Sequence, residues 1–150
     1  IEENKLHFDV VAGVSTAGIP WGAWLAEKLD KPMIYVRSSA KDHGKENLIE
    51  GKLEKGSRTI VIEDLISTGS SSLAAVEAIR NAGCEVICCL AIFTYELEKS
   101  KVNFEQANCN LVTLTNFTAL IETSIEMGYL NAVERQKVME WKKNPEEWGR

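Results

Sequence analysis

Two adjacent carboxylates, Glu63 and Asp64, stand shortly ahead of a run of small, hydroxyl-bearing residues, Ser67-Thr68-Gly69-Ser70-Ser71. Residues 59–62 (Thr-Ile-Val-Ile) read as a buried strand that ends at the acid pair, and residues 73–80 read as a helix. A strand, a small-residue loop and a helix start together make an anion site. The loop amides point outward, and the helix dipole favours negative charge by about 0.3–1 kcal/mol. A bare phosphate gains nothing from two carboxylates at the lip, because they repel it. The ligand must also bring hydroxyl donors or a hydrated Mg²⁺. A sugar phosphate meets both demands, with its phosphate in residues 67–71 and its ribose hydroxyls on Glu63 and Asp64. The stretch has neither the Gly-x-x-x-x-Gly-Lys spacing of nucleotide-binding P-loops nor the Gly-x-Gly-x-x-Gly of dinucleotide binders.

A second strand, loop and helix start lies upstream. Residues 9–14 read as a short buried strand running into Ser15-Thr16-Ala17-Gly18-Ile19-Pro20, and a helix is expected from about Trp21 to Leu29. Pro20 suits a first helical turn, and Gly13 and Gly18 allow close backbone approach to a ligand. By itself this is a plain strand-to-helix turn. A third feature follows the strand at residues 33–37. Residues 38–47 keep no hydrophobic period and place Lys41, His43 and Lys45 after Arg37, which predicts a mobile loop. A chain of net charge -5 that binds a polyanion needs local cations or a metal, and this loop supplies cations.

The string Val61-Ile62-Glu63-Asp64-Leu65-Ile66-Ser67-Thr68-Gly69-Ser70-Ser71 resembles the signature of the type I phosphoribosyltransferases, which bind phosphoribosyl pyrophosphate (PRPP). Its wording is similar to the orotate branch. Arg37-Ser38-Ser39-Ala40-Lys41-Asp42-His43-Gly44 resembles the flexible catalytic loop of that branch, and Ser15, Thr16, Ala17 and Gly18 resemble its pyrophosphate loop. The resemblance implies transfer of the phosphoribosyl group from PRPP to orotate, giving orotidine 5′-monophosphate and pyrophosphate in pyrimidine biosynthesis.

By the same resemblance, Lys41, His43 and Asp64 carry the catalysis. PRPP lies along Arg37, Lys41, His43, Glu63, Asp64, Leu65 and Ile66 and in the cup of Ser67, Thr68, Gly69, Ser70 and Ser71. Ser67 touches the orotate base. Mg²⁺ arrives on PRPP with Glu63 and Asp64 nearby, without a direct protein ligand. A homodimer is implied, with the 38–47 loop reaching the neighbouring site.

The chain departs from the family in three places. A further Lys that some members carry is Ser38 here. An Arg that some branches use for the base is absent from Phe93-Thr94-Tyr95-Glu96. The N-terminal segment that helps cover the base is expected to be missing before Ile1. Two alternatives stand beside the orotate reading. One is an enzyme of the same fold acting on a purine base, which the 37–44 string disfavours. The other is a PRPP-sensing regulator without turnover, which usually adds a nucleic-acid-binding segment not found here.

The elements that must hold these residues also read out of the sequence. The 150 residues suffice for one domain spanning 1–150, and 45% hydrophobic with 26% charged residues fits a soluble globule. The acidic balance argues against a nucleic-acid partner. No apolar run approaches the ~18 residues of a membrane span. Cys84, Cys88, Cys89 and Cys109 form no Cys-x-x-Cys pair, so buried reduced thiols and a cytoplasmic location are expected. Further strands are expected at 84–93 and 110–114, with helices at 96–107, 117–127 and 130–143; Trp141 and Trp148 read as packing anchors. This alternation implies an α/β fold, a mostly parallel central sheet flanked by helices, with both loops at the carboxyl ends of strands.

Overall fold

A computed structural model describes residues 6–38, 48–143 and 145–148. The elements run β1 (Val10–Val14), α1 (Gly18–Leu29), β2 (Met33–Val36), β3 (Ile49–Glu50), β4 (Arg58–Ile66), α2 (Ser70–Asn81), β5 (Glu85–Thr94), α3 (Glu98–Gln106), β6 (Leu111–Asn116), α4 (Phe117–Glu126) and α5 (Ala132–Lys143), with a short 3-10 turn at Pro145–Glu147. The sheet order is β3-β2-β1-β4-β5-β6. Every pairing is parallel except the short return of β3 against β2.

Strand alternation divides the core into two layers. Val10, Ala12 and Val14 of β1 and Val61 of β4 pack with Ala75, Val76 and Ile79 of α2 and Phe104 of α3. Val11 of β1 and Ile60 and Ile62 of β4 pack with Ala26 of α1 and with Phe8. Helices therefore cover both faces, as the strand–helix alternation predicts. All four cysteines are free and buried, Cys88 and Cys89 completely.

Several boundaries differ from the sequence expectation, and each shift matters to the site. β4 does not end at the acid pair. It runs on to Ile66 because Glu63, Leu65 and Ile66 keep pairing with Ala91, Phe93 and Thr94 of β5. α2 begins at Ser70 rather than Leu73, since the loop closes one turn earlier over Gly69 in the left-handed conformation (φ 81°). α1 likewise starts at Gly18, with Pro20 inside its first turn. Trp141 is a packing anchor, 5.5 Å from Tyr95 and 5.2 Å from Phe117 between ring centroids. Trp148, expected in the same role, is 49% exposed.

At the amino ends of β1 and β4, Arg58 clasps Asp9. Its Nε donates to Oδ2 at 3.1 Å and its terminal nitrogen to Oδ1 at 2.9 Å, while the Arg58 amide also donates to Oδ2. Those bonds hold the Asp9 carboxyl down at about 2. The clasp fixes the β1–β4 register, Val10 opposite Thr59 through Gly13 opposite Ile62, and so sets the carboxyl ends of the two strands side by side.

Candidate active site

β1 and β4 are neighbours, yet their crossovers leave in opposite directions: β1 leads through α1 to β2, and β4 leads through α2 to β5. Such a reversal opens a crevice at the carboxyl ends of the two strands, where open α/β sheets take their ligands. Residues 15–17 and 67–69, both singled out in the sequence, border it.

Gly18 shows how tightly the two loops are joined. A Cβ there would collide with the Ile62 carbonyl oxygen and stand 3.3 Å from Glu63 Cα. The close approach of Gly18 is to the β4 backbone, which brings the start of α1 against the acid pair. The Ser15–Thr16 peptide bond is cis. Ser15 is held from the other side: its amide donates to the Val36 carbonyl at 2.9 Å, and its Oγ accepts the Ser38 amide at 3.1 Å.

Neither α1 nor α2 has a side-chain cap or an acidic residue in its first turn. In contrast, Asn116 caps α4 through the Ala119 amide, and Asn131 caps α5 through the Val133 and Glu134 amides. The first intrahelical bond of α2 runs from the Leu73 amide to the Gly69 carbonyl, so the amides before it have no intrahelical acceptor. Two uncapped, acid-free helix starts facing one crevice make a concentrated field for anions.

Within the acid pair the two environments differ. Glu63 is 6% exposed, whereas Asp64 is half-buried. Burial pushes the Glu63 carboxyl up to about 7, and the neighbouring Asp64 carboxyl pushes the same way. Bonds from the Ser72 hydroxyl (3.0 Å) and the Asp64 amide (3.1 Å) oppose that rise. Two carboxyls at one point, one of them holding a proton near neutrality, are a site that a cation or hydroxyl donors would relieve.

Around the cup, Ser67, Ser70 and Ser71 are exposed, Thr68 is half-buried, and Leu65 is 38% exposed. Ile66 is completely buried and offers only backbone, whose carbonyl accepts the Tyr95 amide. Thr68 Oγ1 and Ser70 Oγ lie 2.9 Å apart. The loop is buttressed from behind by α3: Asn103 donates to the Thr68 carbonyl at 2.9 Å, and the Phe104 ring packs on Gly69. Asn103, Phe104 and Ser72 were not singled out in the sequence. They sit in ordinary helical contexts, and only the fold carries them to the loop.

Arg37 stands at the end of β2, where its guanidinium donates to Glu50 at 3.3 Å. Lys41 and His43, with the rest of residues 39–47, lie outside the described residues. Among the described residues no cluster of three or more His, Cys, Asp or Glu is placed to hold a metal.

The phosphoribosyl transferase domain family matches residues 1–125. The chain is 53% identical over 148 residues to an orotate phosphoribosyltransferase of Coxiella burnetii, covering 99% of this chain and 71% of that protein. It is 56% identical over 150 residues to one of Listeria innocua, covering 100% of this chain and 72% of the relative. The chain belongs to the orotate phosphoribosyltransferase family. The crystal structure of an orotate phosphoribosyltransferase from Aeropyrum pernix superposes with a TM-score of 0.73 at 31% identity, over 83% of this chain and 68% of that one.

Proposed function

We propose that the chain transfers the phosphoribosyl group of PRPP to orotate, giving orotidine 5′-monophosphate and pyrophosphate. The observation that carries this reading is the junction at the β1–β4 crevice. There the acid pair lies between two uncapped helix starts, in a chain more than half identical to named orotate phosphoribosyltransferases. The 5′-phosphate sits in the 67–71 cup against the amides at the start of α2. Asp64 and Glu63 receive the ribose hydroxyls, and residues 15–18 receive the pyrophosphate through backbone amides.

In the reaction the bond from C1′ to the pyrophosphate oxygen breaks, and a bond from C1′ to a ring nitrogen of orotate forms. Positive charge grows on the sugar while negative charge leaves with the pyrophosphate. The acid pair lies beside the developing cation, and Lys41, His43 and Arg37 offset the departing anion. Mg²⁺ would be carried on the oxygens of PRPP with Glu63 and Asp64 nearby and without a direct protein ligand, as suits an ion that takes few of them; it would add positive charge against the pyrophosphate. Excluding water protects PRPP from hydrolysis. No protein nucleophile is needed.

We further place the enzyme in the cytoplasm as a homodimer, with the 38–47 loop serving the neighbouring site. Four free cysteines support a reducing compartment. No helix among the described residues is long and apolar enough to cross a membrane. The test is direct. Orotate absorbance is followed on mixing the protein with orotate, PRPP and Mg²⁺, with adenine and hypoxanthine as competitors. Consumption of orotate, unaffected by the purines, is expected. PRPP bound but no pyrophosphate released with any base would overturn the reading.

A further inference from the structure

Glu63 joins the end of β4 to the first turn of α2. Its Oε1 accepts the Asp64 amide at 3.1 Å, which fixes the peptide that presents the second acid. Its Oε2 accepts the Ser72 hydroxyl at 3.0 Å, and Ser72 is the third residue of α2, on the helical turn that forms the cup. Ser72 is 1% exposed, and it is the side-chain donor to Glu63 among the described hydrogen bonds. Beside them lies the fully buried Cys89 of β5, so the contact is sealed from solvent on the core side. A buried carboxylate seldom gives up a hydrogen-bond donor without movement. The bond therefore acts as a strut between strand and helix.

We infer that Ser72 is a positioning residue: through Glu63 it fixes the spacing between Asp64 and the cup at the start of α2, and so sets affinity for a ligand that spans both. This inference rests on the PRPP reading above. A ligand that fills only the cup does not depend on the spacing. A ribose 5-phosphate ester does.

Calorimetry on the intact protein separates the two, with inorganic phosphate and ribose 5-phosphate as probes. Ser72→Ala is expected to weaken ribose 5-phosphate at least tenfold and inorganic phosphate less than twofold. A general loosening of the fold would weaken both alike, and that result, or no change in either, overturns the inference. If Ser72→Ala does not fold, Ser72→Cys keeps a weaker donor of similar size. It is expected to weaken ribose 5-phosphate about threefold more than phosphate, and equal effects again overturn the inference. Failure of the parent protein to bind ribose 5-phosphate would remove the PRPP reading itself, and this inference with it.

Discussion

Gly69 and Phe104 meet so closely that a Cβ on the glycine would stand 2.5 Å from Cε2 of the ring. Gly69 also has φ 81°, where an L side chain is strained by about 1–2 kcal/mol. Adding a methyl group against a buried ring costs about 1–3 kcal/mol more. Gly69→Ala is therefore expected to lower unfolding stability by about 2–5 kcal/mol in urea titrations. Replacing Phe104 by Leu in the same chain should recover part of that loss, since the ring edge is the obstacle. A Gly69→Ala protein as stable as the parent would mean that the cup does not need this turn.

The Glu63 carboxyl predicts a pH dependence of stability. Its value in the fold is about 7, against 4.5 for an unperturbed glutamate. Between those two values the folded chain holds a proton that the unfolded chain has released. Stability should therefore fall as pH rises from about 4.5 to about 7, then level off, by at most about 3 kcal/mol. Denaturant titrations at pH 5, 6, 7 and 8 measure the slope. In Glu63→Gln the slope should flatten, and an unchanged slope would assign the proton to another group.

Thr59 is fully buried, and its hydroxyl has no hydrogen-bond partner among the described residues. Thr59→Val keeps the shape and removes the unpaired group. A gain of about 1 kcal/mol is expected, seen as a melting temperature higher by about 3 °C. A lower melting temperature would show that the hydroxyl has a partner after all.

Lys41 is assigned to the departing pyrophosphate. Lys41→Ala should cut kcat by about 100-fold or more while leaving PRPP affinity within about threefold, as read by steady-state kinetics beside calorimetry. Equal turnover in variant and parent would take Lys41 out of catalysis.

Much of this was legible in the sequence because the periods were clean. A β-branched run at residues 59–62 and a long apolar run at 84–93 mark strands, and small-residue loops follow β1 and β4 as expected. The limits of β4 and α2 were not legible, for a physical reason. Glu63 and Asp64 look like the end of a buried strand, but β5 continues alongside and pairs with Glu63, Leu65 and Ile66. Three consecutive serines look like loop, yet Gly69 allows the helix to start on the first of them. The strut at Ser72 and the buttress of Asn103 and Phe104 are long-range contacts between residues of ordinary type, and no local pattern announces them. The ion pair of Arg37 with Glu50 is a further such contact, made where the chain returns to the edge of the sheet.

The clasp of Arg58 on Asp9 joins two strands whose intervening chain includes α1, β2 and β3. A ribosome must finish all of that before the first strand meets β4, its second neighbour. A growing polypeptide stopped short of β4 would own one of the two small-residue loops and would lack the Glu63–Asp64 pair. Two loops standing side by side therefore report that synthesis has passed β4 and that the centre of the sheet has closed.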